Sequence, residues 1–379
     1  MNSVQILERL ASFPTVSRDS NLDLIDFVQS FLSECGVESR LYPDSSARKA
    51  NLYACVGPTD RGGILLSGHT DVVPVDGQPW STDPFRLSQR SGRLYARGST
   101  DMKGFIACAL GAAKLASQRK LRIPLQLAFS YDEEIGCVGV RSLIDDMESW
   151  THRPEFCIVG EPTSLRTAVG HKGKTALLAT CRGKAAHSAY PHRGVNAIHL
   201  AADLIGRIRE RQSLIEQCGL HDPAYETPYS TLHVGVIHGG SALNIIPSLC
   251  ELELEIRNLP ADDSHAMVAA LRADAATLGR STAGDETGID LKVLNEYPGL
   301  STPADSAVVA LAAALTGQRD LIHVGFGSEA GLFSGRLGIP TVVCGPGSIE
   351  QAHKPDEFVD LDQMQRCDSM MAALLNRLA

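Results

Sequence analysis

No stretch of this chain is long and apolar enough to span a bilayer. The longest nearly apolar run, Ala307 to Leu315, covers about half of the ~20 residues a spanning helix needs. The opening residues, MNSVQILERLASF, carry Glu8 and Arg9 inside their apolar stretch and do not read as a signal peptide. Basic residues are in deficit: 35 Lys and Arg face 44 Asp and Glu, for a formal net charge of −9. No basic run offsets that, which argues against nucleic acid or an anionic membrane surface as a partner. The ten cysteines include no CxxC pair, so zinc-finger spacing is absent. Most sit in apolar runs such as FIACAL (Cys108) and EFCIVG (Cys157), as expected of reduced, buried thiols in a cytoplasmic protein. Internal repeats and low-complexity tracts are missing too. What remains is an ordinary globular composition, 44% hydrophobic and 21% charged, over 379 residues, enough for two or three domains.

Two amphipathic helices open the chain. Val4, Leu7, Leu10 and Ala11 share one face of the first; Leu24, Val28, Leu32 and Cys35 share one face of the second, with Gly36 placed to end it. Short apolar runs then alternate with helical pattern: ILLSG (64–68), GRLYARG (92–98), PLQLAFSY (124–131) and EFCIVG (155–160), with a helix in KGFIACALGAAKLASQ (103–118). Such alternation predicts an α/β fold, a mixed and mostly parallel sheet flanked by helices. From about residue 176 the order becomes β-α-β-β-α-β, that of a ferredoxin-like α+β sandwich. In CELELEIRN, Leu252, Leu254 and Ile256 alternate with Glu251, Glu253 and Glu255, so one sheet face is expected to be wet. After Pro298 the α/β pattern resumes. The expected organisation is therefore one domain of residues 1–175 and 297–379 with a smaller domain, 176–296, inserted in it.

Residues able to hold a metal follow the apolar strands. His69 and Asp71 follow ILLSG, Glu133 and Glu134 follow PLQLAFSY, Glu161 follows EFCIVG, and His353 lies beyond GIPTVVCG; Asp101 precedes the long helix. In an open parallel sheet, ligands bind beyond the C-terminal strand edge, so residues distant in sequence converge there. Any one loop carboxylate or histidine is commonly solvated or caps a helix. The set of two histidines and several carboxylates at one edge suits Zn²⁺, Co²⁺ or Mn²⁺, and has too few oxygens for Ca²⁺. The glycines of GFGSEAG (325–331) match neither nucleotide-binding loop pattern.

SGHTDVVPV, ARGSTDMKGF, DEEIGCVG, GEPT, AHSAYPHRGVNAI and AHKPDE occur in that order over nearly the whole chain. Together they resemble the co-catalytic zinc amidohydrolases and metallopeptidases, which include succinyl-diaminopimelate desuccinylase and aminoacylase. Three segments, PYSTLHVGVIHGGSALNIIP, GFGSEAGLF and GPGSIEQAHKPDEFV, look most like the acetylornithine deacetylases of that family.

The resemblance implies a zinc-exopeptidase-like catalytic domain with a dimerisation or lid domain inserted, and two divalent ions, Zn or Co, per subunit. Asp101 would bridge ions about 3.5–4 Å apart, with His69 and Glu161 completing one position and Glu134 and His353 the other. Asp71 would accept the second ring N–H of His69, and Glu133 would be the general base. The peptide after Asp101 is cis in relatives. His187 would act across a homodimer as a donor to the tetrahedral oxyanion. Asn244 and Arg257 resemble substrate-binding positions, the arginine fork suiting an α-carboxylate. Gly327, Ser328 and Glu329 would line the substrate pocket; Glu329 is read either as a partner for a δ-ammonium or, with Ser328, as a helix cap. The implied reaction is metal-dependent hydrolysis of N2-acetyl-L-ornithine to ornithine and acetate in arginine biosynthesis. Alternatives are a sister deacylase acting on acetylcitrulline or succinyl-diaminopimelate, a dipeptidase, and an inactive amino-acid-binding or scaffold relative.

Overall fold

A computed structural model describes residues 1–280 and 287–379. The chain divides into two compact units, one of Met1–Gly170, Leu300–His323 and Ser328–Ala379, the other of His171–Gly299 and Val324–Gly327.

In the first unit, a mixed sheet runs in the order Ser39–Pro43, Ala50–Val56, Leu125–Ser130, Ile64–His69, Phe156–Pro162, Thr341–Gly345, Thr167–His171 and Leu300–Ser301. Its centre is parallel. Ile64–His69 pairs in parallel with Leu125–Ser130 and Phe156–Pro162, and Phe156–Pro162 with Thr341–Gly345. Ile64–His69 and Leu125–Ser130 are buried at every position, as strands covered on both faces must be. The cover on one face includes the helix Gly104–Ala116, rich in small residues, of which ten residues are buried. It approaches the strands so closely that a Cβ on Gly160 would lie 2.0 Å from the Phe105 ring. No larger residue fits beside Glu161 without moving strand or helix. GRLYARG does not join this sheet: Arg93–Tyr95 lies between Ser88–Arg90 and Phe358–Asp360 in a separate three-stranded sheet.

The second unit is built on a four-stranded antiparallel sheet ordered Thr231–Gly239, Leu249–Asn258, Gly173–Arg182, Gly288–Tyr297, the ferredoxin-like order. Leu252, Leu254 and Ile256 are buried with Leu200, Leu204 and Ile208 of the helix Ala197–Cys218 and with Val268 and Leu271 of Ser264–Arg280. Glu253, in alternation, is exposed. All ten cysteines are free thiols, and seven are buried. No helix among the described residues is long and apolar enough to cross a membrane.

Candidate active site

The parallel centre of the sheet brings the C-terminal ends of its strands to one edge. His69 is the last residue of Ile64–His69, and Glu161 lies near the end of Phe156–Pro162. Leu125–Ser130 runs on into Glu133 and Glu134, and the chain beyond Thr341–Gly345 returns with His353 in a left-handed backbone conformation, φ +61°. Asp101 sits in a non-helical corner just before the helix Gly104–Ala116 (φ −123°, ψ 89°), and the Asp101–Met102 peptide is cis.

These side chains meet. Asp101 presents one oxygen to each histidine: Oδ1 lies 3.1 Å from His69 Nε2 and Oδ2 lies 3.2 Å from His353 Nε2. Glu161 Oε1 is 3.8 Å from His69 Nε2, and Glu134 Oε2 is 3.1 Å from His353 Nε2. His69, Glu133 and Glu161 can surround one ion, as can His69, Asp101 and Glu134. Glu161 Oε1 is buried without a hydrogen-bond partner, which suits a metal ligand better than a structural carboxylate. Two imidazoles and a ring of carboxylates are donors for zinc-like divalent ions.

Burying so many acids together raises their proton affinity. Burial pushes Glu133 up to about 8, with the charges of Glu134 and Glu329 adding and that of His69 opposing. Burial and the charge of Asp101 push Glu134 up to about 7. Burial also raises Asp101, but hydrogen bonds from His353 and His69 outweigh it and hold that carboxyl well below the usual range. Bonds to Asp101 and Glu134 hold His353 up to about 10. The pocket thus holds protons on carboxyls that dications would displace, because a nearby positive charge favours the carboxylate form.

Asp71 departs from the expected contact. His69 Nδ1 donates to the backbone carbonyl of Asp71 at 2.9 Å, while the carboxylate stands 3.6 Å from that nitrogen. The carboxylate instead accepts the backbone N–H groups of Glu133 (3.1 Å) and Glu134 (3.3 Å) and the Ser17 hydroxyl (2.7 Å). A two-residue spacing brings both acceptors of Asp71 near the ring, and the carbonyl takes the proton because the acid is drawn to the amides of the 133–134 turn. Ser17 carries no sequence signal for this role. Arg97 and Glu357, buried beside Asp101, were legible only as members of the ARGSTDMKGF and AHKPDE motifs.

Glu329 is buried, its Oε2 accepting from Ser67 at 3.1 Å, and burial pushes it up to about 7. It makes no capping bond; Ser328 Oγ does, accepting from the Ala330 N–H.

His187, Asn244, Arg257 and Gly327 belong to the second unit. His187 and Asn244 are adjacent, since His187 pairs with Ile245 and the Ser188 N–H donates to the Asn244 carbonyl at 3.0 Å. The Ala189 N–H donates to His187 Nδ1 at 3.1 Å. A backbone N–H only donates, so in neutral His187 the proton is on Nε2. Arg257 Nη1 donates to Tyr297 Oη at 3.2 Å, and that same ring lies where a Cβ of Gly327 would be, so Arg257 and Gly327 share one tyrosine.

Peptidase family M20/M25/M40 matches residues 65–377. The chain belongs to that family. An acetylornithine deacetylase of Photorhabdus laumondii is 36% identical over 365 residues, 94% of this chain and 92% of that protein. The M20 metallo-carboxypeptidase of Sulfolobus solfataricus shares the fold at a TM-score of 0.79 with 20% identity, over 99% of this chain and 98% of that one. A dinuclear metal-binding M20 peptidase of Bacillus subtilis aligns at 0.67 with 16% identity, over 99% and 97%. This M20 chain is therefore an enzyme of a metallopeptidase and amidohydrolase family, with candidate metal-ligand groups at the sheet edge where an α/β fold places its chemistry.

Proposed function

We propose that this enzyme hydrolyses N2-acetyl-L-ornithine to L-ornithine and acetate with two divalent ions, Zn²⁺ or Co²⁺, as a cytoplasmic homodimer. The observation that carries the two-ion reading is Asp101, whose two oxygens each face a different histidine. The substrate rests on the 36% identity to an acetylornithine deacetylase.

In this reading His69 and Glu161 would hold one ion and Glu134 and His353 the other, with Asp101 able to offer an oxygen to each. The chemistry such ions supply is positive charge, which lowers the pKa of water and polarises an amide carbonyl. Glu133 takes a proton from the attacking water and returns it to the leaving amine, which then departs as ornithine. Asp71 holds the turn that carries Glu133 and Glu134. His187, with its proton on Nε2, donates to the tetrahedral oxyanion, acting from the neighbouring subunit. Asn244 and Arg257 bind substrate, the guanidinium pairing its α-carboxylate. Gly327, Ser328 and Glu329 face the rest of the amino acid. Residues 176–296 serve as the dimerisation or lid domain of a catalytic domain formed by 1–175 and 297–379.

Equal concentrations of N2-acetylornithine, acetylcitrulline, succinyl-diaminopimelate and a dipeptide, each with the Zn²⁺- and the Co²⁺-loaded protein, test the proposal. N2-acetylornithine is expected to show the highest kcat/KM. A higher value for any other member reassigns the substrate, and no turnover of any by the loaded protein points to a binding relative.

A further inference from the structure

Arg97 and Glu357 form an ion pair outside the ligand set. Both are 1% exposed, and Nη1 lies 2.7 Å from Oε2. Removing two charges from water costs several kcal/mol per ion, and the pair is tolerated only when its remaining donors and acceptors are satisfied. Here Arg97 Nε is left without a hydrogen-bond partner among the described residues, and the other groups are met by backbone atoms of two loops and by the Gln78 side chain. Glu357 Oε1 accepts the N–H groups of Thr100 (3.0 Å) and of Asp101 itself (3.2 Å). Arg97 Nη1 also donates to the Lys354 carbonyl (3.2 Å), and Nη2 donates to Gln78 Oε1 (2.6 Å). Gln78 Nε2 passes the connection on to the His353 carbonyl (3.3 Å).

The web therefore grips the chain on both sides of one contact, Asp101 Oδ2 to His353 Nε2. The His353 side needs holding. Its backbone is left-handed, which costs a non-glycine residue roughly 1–2 kcal/mol, and its side chain is half exposed. None of these bonds reaches His69 or Glu161, which sit on strands of the central sheet; Asp101 Oδ1, 3.1 Å from His69 Nε2, is the one group held by the web that both positions share.

We propose that Arg97 and Glu357 are positioning residues, a clamp that sets the spacing of the Asp101 and His353 loops and so the affinity of the ion position these two share with Glu134. The His69–Glu161 position depends on it far less. The inference rests on the two-ion reading given above.

The test is titration of the metal-free protein with Co²⁺ alone, followed by calorimetry and by the visible absorption of bound cobalt, beside thermal unfolding of each metal-free variant. Wild type is expected to take up two ions. Glu357→Gln keeps an oxygen for the two amides but leaves Arg97 unpaired. Arg97→Lys keeps the charge but loses the fork that reaches Lys354 and Gln78. Each should weaken one binding step by about 10–100-fold, the range for residues that orient metal ligands, while the other step moves much less. Gln78→Ala, at the half-buried periphery, serves as a milder variant if the others fail to fold, and should weaken the same step. Unchanged affinities, or equal losses at both steps in proportion to a lowered metal-free Tm, overturn the clamp. Uptake of one ion per chain by wild type overturns the two-ion reading, and no variant is needed to see it.

Discussion

At Asp71 the carbonyl and the carboxylate take different partners, the one orienting His69 and the other fixing the turn of Glu133 and Glu134. Glu133 is further restrained at its side chain, where Oε1 accepts from Cys137 Sγ at 3.3 Å. The proposed base, held at both ends, would lose little freedom on reaching its transition-state position, so its removal should show in the chemical step. Glu133→Ala is expected to lower kcat by about 10²–10⁴-fold while leaving the uptake of two ions intact, as measured by steady-state rates beside metal analysis of the same preparation. An unchanged kcat removes Glu133 as the base. A lost ion would make it a ligand, the role its place beside His69 and Glu161 also permits.

Between elements, the contact of Phe105 with Gly160 joins the helix Gly104–Ala116 to the strand that carries Glu161. Gly160→Ala should destabilise the protein by about 1–3 kcal/mol through overpacking. Phe105→Leu in the same chain should recover part of that loss, because the two sites touch. Urea unfolding of the four members of the cycle measures the coupling, and strict additivity would show that the backbone relieves the clash without Phe105. The elements that meet here were plain in the sequence. EFCIVG and the small-residue helix each announce themselves by a run of apolar residues and by its length. Pairing was not plain. GRLYARG reads as one more strand of the series, yet Arg93–Tyr95 pairs with Phe358–Asp360, because hydrophobic pattern reports burial and not the neighbour. Convergence of His69, Glu134, Glu161 and His353 followed from strand ends, and Asp101 was added from the start of the long helix, whereas the Ser17–Asp71 and Arg97–Glu357 contacts join residues with no shared periodicity.

On the scale of the whole molecule, the proposed homodimer makes His187 and Glu133 separable. His187 sits in the second unit and is exposed, its Nδ1 accepting from the Ala189 N–H. His187→Ala and Glu133→Ala homodimers should each be nearly inactive. Mixed by co-refolding, they should regain up to about a quarter of wild-type activity, since half the subunits are in mixed pairs and one of the two sites in each is intact. Sedimentation of the mixture confirms the dimer. No regain would place His187 in its own subunit's site or outside catalysis. The grip of Glu357 on the Asp101 N–H bears on how the molecule is made. The two residues are 256 positions apart. At about 5–20 residues per second on the ribosome, the corner that holds Asp101 waits roughly 13 to 50 s for its acceptor. The acids at the candidate site are all translated before the residue that fixes the corner at Asp101, so a chain released just before Glu357 carries every one of them but lacks the bond that seats Asp101.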